Sequence, residues 1–198
     1  MTIPRTYRFA MAACAPAVRW WGRLEVEGQE CLPPDGPLLL AANHDSYWDP
    51  VAIGIAGLPR RQIKALAKSS LWKPGLGRIL DGMGQIPILR GGKDAGALER
   101  AIEELRDGSC IGIFPEGTRS QGRELRARSG FARLAEAVPE AAVRCATVTG
   151  TTDIPHFPRD RPQVRVRFFV PEAGAADPAS LLAEIRAQAP RVRAGRRR

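Results

Sequence analysis

The run LLLAANHDSYWDP, residues 38–50, carries the clearest structural signal in the chain. It opens with five consecutive apolar residues, Leu38–Ala42, which follow a Pro-Pro-Asp-Gly turn at residues 33–36 and predict a short buried strand. The polar residues that follow predict the end of this strand. Asp49 and Pro50 then predict a helix start, with Asp49 as the N-cap and Pro50 at the first helical position. A buried strand that leads directly into a helix is typical of an α/β fold.

The remainder of the chain repeats this alternation of short apolar runs and amphipathic segments. Residues 71–80 are predicted to be helical or irregular, because Pro74 and Gly75 interrupt them. We find no internal repeat and no linker, so the sequence predicts one α/β domain. Strands are predicted over residues 63–67, 86–89, 110–114, 143–149 and 164–170, and helices over residues 50–55, 94–107, 130–138 and 181–188.

The composition excludes several classes of protein. The 198 residues are 44% hydrophobic, which excludes a disordered chain, and no apolar run approaches the ~18 residues of a membrane-spanning helix. The four cysteines form no CxxC pair and the two histidines add no zinc-binding spacing, so we expect reduced thiols in a cytosolic protein and no bound metal. Aromatic residues make up 6% and do not alternate with basic residues, and we therefore expect no nucleic-acid partner.

The N-terminal segment favours a membrane interface. Residues 4–22 combine three arginines with aromatic and apolar residues, a mixture typical of a short helix that lies at the headgroup level of a bilayer. A first helix packed on the domain is the alternative, and a signal peptide is disfavoured by Pro16 and by the absence of leucine from the apolar stretch. The residues assigned to lipid contact are Phe9, Met11, Val18, Trp20 and Trp21.

The net charge of +9 also indicates an anionic partner. Five of the last eight residues are arginine, which predicts a basic arm that serves either solubility or docking on an anionic membrane surface. These features divide the chain into an N-terminal interfacial helix at residues 1–22, one main domain at residues 23–188 and a basic tail at residues 189–198.

Two histidines limit the search for catalytic residues. His156 lies between two prolines and is predicted to be a loop residue. His44 directly follows the buried strand, where rigidly held polar residues commonly build sites in α/β folds. Asp49, five residues on, cannot stack on His44 along one continuous helix, but the two meet if the chain turns after His44. Asp49 would then fix the imidazole tautomer while the other ring nitrogen takes a proton from a hydroxyl; a plain helix N-cap is the alternative.

Two further clusters follow predicted strands. The sequence FPEGTRS at residues 114–120 offers Gly117 for close backbone approach, Thr118 as a hydroxyl and Arg119 as a planar fork that matches phosphate. A second arginine, Arg90, also ends a predicted strand. Three strand-end clusters that together supply a base, a carboxylate and two anion-binding arginines indicate a site for a phosphate-bearing hydroxyl compound.

These segments resemble the glycerolipid acyltransferase family, in particular its 1-acyl-glycerol-3-phosphate acyltransferases of bacterial type, over about residues 20–170. His44 and Asp49 match the family's H-x4-D motif, and residues 114–120 match its FPEGTRS block at every position. The supporting matches are Asn43, Ser46, Gly84, Ile86, Ile88 and Arg90. The resemblance implies a single-domain glycerol-3-phosphate acyltransferase-like fold of the α/β class, with a mixed β-sheet flanked by helices.

The resemblance also implies a reaction. An acyl thioester, either acyl-CoA or acyl carrier protein (acyl-ACP), donates a fatty acyl group to the free hydroxyl of 1-acyl-glycerol-3-phosphate and gives phosphatidic acid for phospholipid biosynthesis. Apart from this co-substrate no cofactor is expected. His44 is the implied general base and Asp49 its orienting partner, and direct transfer needs no acyl-enzyme.

The family further implies which residues surround the acceptor phosphate. They are Arg90, Glu116, Gly117, Thr118 and Arg119. Because a carboxylate repels phosphate, we expect Glu116 to organise Arg119 instead of touching the acceptor. A lysophospholipid acceptor implies a peripheral enzyme on the cytoplasmic face of the cell membrane.

The chain departs from the family pattern at two places. Cys145 stands where the fourth block usually has a proline, and Arg128 stands where a lysine is usual, which keeps the charge. Two alternatives therefore stay open. One is the same acyl transfer to another acceptor, such as glycerol-3-phosphate, a lyso-ornithine lipid or a secondary alcohol; the other is a non-catalytic membrane-surface binding protein with the same fold.

Overall fold

The computed structural model describes residues 2–89, 94–154, 161–172 and 177–191. The strands in these ranges are β1 (Glu25–Glu27), β2 (Leu38–Ala42), β3 (Lys64–Lys68), β4 (Ile86–Ile88), β5 (Cys110–Ile113), β6 (Ala142–Thr149) and β7 (Arg165–Phe169). They form one sheet in the order β1-β7-β6-β2-β5-β3-β4. The five strands from β6 to β4 are parallel, whereas β7 pairs antiparallel with β6 and parallel with β1. The predicted mixed sheet is therefore confirmed.

The helices cover both faces of this sheet. They are α1 (Arg5–Ala15), α2 (Asp49–Gly57), α3 (Leu76–Gly82), α4 (Ala95–Arg106), α5 (Gly130–Ala137) and α6 (Pro178–Gln188). Several of these bounds differ from the sequence prediction; α6, for example, begins at Pro178 and not at residue 181. Helix α2 begins at Asp49 itself, with Trp48 at the N-cap, and α3 begins only after the interruption at Pro74 and Gly75. The sequence analysis also missed β1, because a Glu-Val-Glu strand at the sheet edge has no apolar run to reveal it.

Strand β2 is the centre of the core, since all five of its residues are buried. Alternate residues of a strand point to opposite faces of the sheet. Leu38, Leu40 and Ala42 pack with residues of α1 and α2, whereas Leu39 and Ala41 pack with residues of α4, α5 and α6. A strand covered on both faces has no polar side, which explains the unbroken apolar run in the sequence.

The parallel strands bring three loops to one edge of the sheet. Ala41 of β2 lies opposite Ile113 of β5, and Ala42 lies opposite Ala146 of β6. The segments that follow the three strands therefore leave the sheet side by side at its carboxyl edge. This is the edge at which open α/β sheets bind their ligands.

Helix α1 and the π-helical segment Pro16–Trp21 after it have one buried and one exposed face. Tyr7, Met11 and Val18 are buried in the core, and burial raises the pKa of the Tyr7 phenol. The assignment of Met11 and Val18 to lipid contact is therefore wrong. Phe9 and Trp20 are 75% and 70% exposed. Within the described ranges no helix has the length and apolar character needed to cross a bilayer.

Truncating a side chain should affect stability differently on the two faces of α1. Met11→Ala should lower the free energy of unfolding by about 2–5 kcal/mol, because it leaves a cavity between α1 and the core. Phe9→Ala, on the same helix, should change it by about 0.5 kcal/mol or less, because the ring is mostly in solvent. Urea unfolding of both variants measures the difference, and a larger loss for Phe9→Ala would contradict the packing described for α1.

Candidate active site

His44 and Asp49 form a hydrogen-bonded pair at the carboxyl end of β2. His44 Nδ1 lies 3.0 Å from Asp49 Oδ2, and the Asp49 side chain has no exposed surface. The same Oδ2 atom accepts hydrogen bonds from two backbone amides, so it is an acceptor and Nδ1 must be the donor. The Nε2 atom of neutral His44 then carries the free lone pair. The structure thus brings together the two side chains that the sequence spacing allowed to meet if the chain turns after His44.

The Asp49 carboxylate also holds the loop between β2 and α2 in place. Its Oδ2 atom accepts from the amides of Asp45 at 2.6 Å and Ser46 at 2.7 Å, and its Oδ1 atom accepts from the Thr151 hydroxyl. The amides bound by Asp49 precede it in the chain, whereas an N-cap binds amides in the first turn that follows. The N-cap interpretation of Asp49 is therefore wrong.

The loop at residues 114–120 packs directly on His44. The Phe114 ring stacks on the imidazole with a centroid distance of 4.2 Å and an interplanar angle of 17°. The Ser120 amide donates to the His44 carbonyl at 2.7 Å, and the His44 amide donates to Glu116 Oε2 at 3.1 Å. The FPEGTRS block thus fixes both the ring and the backbone of the histidine.

Glu116 does not organise Arg119. Its carboxylate is 1% exposed and is bound by the His44 amide and by the guanidinium of Arg186 on α6. The Arg119 guanidinium instead lies over the ring of Tyr47, 3.6 Å from the ring centroid. The expectation that Glu116 orients Arg119 is therefore wrong: the carboxylate is bound by the His44 amide and by Arg186.

Gly117 and Arg128 are packed against each other. Gly117 has φ +68°, and a Cβ atom at this position would collide with the side chain of Arg128. The Arg128 amide donates to the carbonyl of Pro115 at 2.8 Å, which ties the two ends of this loop together. Arg128 is exposed and Thr118 is half-buried. The side chain of Arg128 therefore lies against Gly117 of this loop.

Asn43 and Ser46 support the loop after β2, as the resemblance implies. Asn43 bonds through its amide to both the carbonyl and the amide of Val148 on β6, each at 2.8 Å, and so continues the pairing of β2 with β6 beyond the strand end. The Ser46 hydroxyl donates to the Thr151 carbonyl at 3.1 Å. Both side chains are buried and hold the backbone on either side of His44.

Two of the predicted site residues fall outside the described ranges. Two residues that hydrogen-bond to the carboxylates of the site were not predicted. The predictions for Arg90 and for His156 lie at positions that the structure does not describe. Thr151 lies two residues after the end of β6 and could have been found, because residues after parallel strands meet at one edge. Arg186 gave no such signal, since it lies in the middle of a predicted amphipathic helix and 141 residues from Asp45.

The imidazole of His44 can take a proton from a hydroxyl, and it lies beside a loop that bears Arg119. Burial raises the pKa of the Cys110 thiol to about 12 and raises that of Cys145 as well, so neither is a reactive nucleophile. Within the described ranges there is no group of three or more His, Cys, Asp or Glu side chains that could hold a metal ion. Base-assisted transfer between two bound substrates is the chemistry that this geometry supports.

The chain is an α/β domain with a histidine–aspartate pair, His44 and Asp49, at the end of a strand, as in many enzymes. A family model identifies which family of such domains it belongs to. The model described as "Acyltransferase" matches residues 23–158, which is well over half of the chain. The chain therefore belongs to the acyltransferase family.

Similar proteins agree with this assignment. The chain is 30% identical over 115 residues to a 1-acyl-sn-glycerol-3-phosphate acyltransferase of Bacillus subtilis, covering 58% of this chain and 57% of that protein. It is 32% identical over 151 residues to the protein of the same name from Borreliella burgdorferi, covering 73% and 55%. The chain thus spans little more than half the length of these curated relatives.

A solved structure shares the fold. The 1-acyl-sn-glycerophosphate (LPA) acyltransferase PlsC of Thermotoga maritima matches with a TM-score of 0.63 and 22% sequence identity. The match covers 92% of this chain and 78% of the other, so it includes most of the sheet and helices described above.

The Thr151–Asp49 hydrogen bond predicts a specific loss of stability. Thr151→Val keeps the shape of the side chain but removes the donor to Asp49 Oδ1, and should lower the free energy of unfolding by about 1.5–3 kcal/mol. Thr152→Val, at the adjacent buried position, should lower the free energy of unfolding clearly less. Urea unfolding at pH 7 measures both, and equal losses would contradict the role assigned to Thr151.

Proposed function

We propose that the chain transfers a fatty acyl group from an acyl thioester to the free hydroxyl of 1-acyl-glycerol-3-phosphate and forms phosphatidic acid. The observation that carries the proposal is the His44–Asp49 pair, joined at 3.0 Å and packed against a loop that bears arginine. The names of the Bacillus and Borreliella relatives support this acceptor. Acyl-CoA and acyl carrier protein present the same thioester, and either can serve as donor.

The reaction follows from the free lone pair on His44 Nε2. Nε2 takes the proton of the acceptor hydroxyl as its oxygen attacks the thioester carbonyl, which forms the new C–O bond. The tetrahedral intermediate collapses, the C–S bond breaks, and the leaving thiolate takes the proton from the imidazolium. Asp49 stabilises that imidazolium through Nδ1 during the transfer.

The arginines of the loop at residues 114–130 are suited to the acceptor phosphate. Stacking on Tyr47 uses the flat face of the Arg119 guanidinium and leaves its in-plane N–H donors for a bidentate contact. Arg128 adds a second positive charge across Gly117. We therefore assign phosphate binding to Arg119 and Arg128, and retain Arg90 on the resemblance alone.

The N-terminal helix is suited to hold the protein on a membrane. The exposed residues Arg5, Arg8, Phe9, Arg19 and Trp20 follow the spacing of one helical stripe, opposite the buried residues. Exposed rings beside guanidinium groups match the headgroup region of an anionic bilayer. Since a lysophospholipid stays in the bilayer, we propose that the protein acts as a peripheral enzyme on the cytoplasmic face.

His44 provides the test of catalysis. His44→Ala should lower kcat by ~10²-fold or more, because it removes the general base. His156→Ala is the matched control and should leave kcat within a few-fold. The measurement is thiol release from an acyl-CoA panel with 1-acyl-glycerol-3-phosphate, glycerol-3-phosphate and a lyso-ornithine lipid as acceptors. Turnover with one of the other acceptors alone would replace the proposed substrate, and no turnover with any of them would favour a non-catalytic binding protein.

Arg119 provides the test of phosphate recognition. Arg119→Ala should raise KM for the phosphate-bearing acceptor about 10-fold or more, because a hydrogen bond between charged groups contributes ~1.5–3 kcal/mol. KM for the acyl donor should change much less. Arg126→Ala, an exposed arginine of the same segment, is the control. Equal changes in KM for both substrates would place Arg119 in the scaffold or on the donor phosphates.

Vesicle sedimentation tests the membrane proposal. Replacing Phe9 and Trp20 by serine should weaken binding to anionic vesicles at low and high salt, because the loss is apolar. Replacing Arg5, Arg8 and Arg19 by glutamine should weaken it mainly at low salt, at about 1 kcal/mol for each charge. Val170→Ser, an exposed apolar residue after β7, is the control. Failure of the unaltered protein to bind anionic vesicles would contradict membrane docking.

A further inference from the structure

We propose that Arg186, on the C-terminal helix α6, is a positioning residue for His44. This inference rests on the proposed function for its kinetic part, since it assigns Arg186 to the same reaction. Arg186 is 6% exposed and lies outside residues 23–158, the segment that the family model matches. Its side chain nevertheless ends among the carboxylates that surround the histidine.

Arg186 binds two carboxylates at once. Its Nη1 and Nη2 atoms lie 2.7 Å and 3.1 Å from the two oxygens of Asp45. Its Nε and Nη2 atoms lie 3.1 Å and 2.5 Å from the two oxygens of Glu116. A planar guanidinium can form both bidentate contacts, whereas the single ammonium group of lysine cannot.

These two carboxylates hold the peptide groups on either side of His44. Glu116 Oε2 accepts from the His44 amide at 3.1 Å. Asp45 accepts from the hydroxyl of Ser120, whose amide donates to the His44 carbonyl at 2.7 Å. Arg186 is therefore linked to the N–H of His44 through Glu116 and to its C=O through Asp45 and Ser120, and it fixes the backbone from which the imidazole projects.

Arg186 also balances charge around the imidazole. Among the described residues, the charged groups linked to His44 by hydrogen bonds, directly or through one another, include Asp45, Asp49, Glu116 and Arg186. Arg119 is stacked on Tyr47, and Thr151, from the end of β6, is uncharged. Burial alone would lower the pKa of Arg186, but its hydrogen bonds to Asp45 and Glu116 outweigh this and raise it. Loss of this cation would leave carboxylates that favour the protonated imidazole.

Helix α6 is rigidly placed for this role. Leu181 and Ile185 are buried in the same core cluster as Leu39 and Ala41 of β2. The segment that carries Arg186 is thus packed on the strand that delivers His44. The core holds helix α6, and the two carboxylates hold the guanidinium of Arg186. The loop that carries His44 can therefore move little relative to the helix.

Arg61 supplies a matched control for the test. It is also 6% exposed, and its guanidinium donates to the carbonyls of Pro33, Asp35, Gly36 and Gly108. These carbonyls lie at the amino edge of the sheet, opposite His44. Arg61→Met therefore removes a buried arginine and lowers the free energy of unfolding without touching the site.

The first experiment measures thiol release by Arg186→Met and by Arg61→Met. The assay temperature is kept below the unfolding midpoint of both variants. We expect Arg186→Met to lower kcat by about 10²-fold with acceptor KM within about 3-fold, because a displaced base loses rate while the phosphate contacts remain. Arg186→Lys, which restores the charge but not the fork, should recover part of the lost rate. Equal kcat values for Arg186→Met and Arg61→Met overturn the proposal; if Arg186→Met does not fold, a wild-type kcat in Arg186→Lys overturns it.

The second experiment needs no turnover. With His156 replaced by glutamine, His44 is the one remaining histidine of the sequence, and its ring signals can be followed against pH by NMR. In Arg186→Met the imidazole should stay protonated to a higher pH than in the parent, and Arg61→Met should not change this. This shift in a protein without acyltransferase activity would support the role of Arg186 while the proposed function fails. No shift together with unchanged kcat overturns the role itself.

Discussion

Asp49 buries a carboxylate with no exposed surface, and such a group is stable inside a protein only when hydrogen-bond donors surround it. The donors here are two backbone amides, the Thr151 hydroxyl and the His44 ring. This requirement folds the loop after β2 back onto the start of α2. It also fixes which ring nitrogen of His44 is free. Local structure and chemistry therefore depend on the same four hydrogen bonds.

The parallel sheet makes this constraint possible. Because β2, β5 and β6 end at one edge, the chain can bring His44, Glu116 and Thr151 together from segments far apart in sequence. Each segment then supplies what the others lack. The β2 loop supplies the imidazole, the β5 loop supplies Arg119 and a backbone contact to His44, and Thr151 after β6 completes the set of donors around Asp49.

The sequence predicted the parts of this structure that repeat or are local. Strand β2 and the amphipathic α4 follow from periodicity, whereas the spacing of five residues only allowed His44 and Asp49 to meet. The partner of Glu116 did not follow, because Arg186 lies 70 residues away on a helix whose placement depends on the whole core. The sequence also did not show which face of α1 is buried, because Met11 and Phe9 are both apolar and only packing decides between them.

The central claim is that Asp49 holds the proton of neutral His44 on Nδ1 and leaves Nε2 free to act as the base. The direct measurement is a long-range ¹H–¹⁵N correlation spectrum of the His44 ring above its titration, in a chain with His156 replaced by glutamine. The account predicts the Nδ1–H form, with Nε2 unprotonated, and its loss in Asp49→Leu, which removes the acceptor. A ring that carries its proton on Nε2 in the unaltered site would contradict the account.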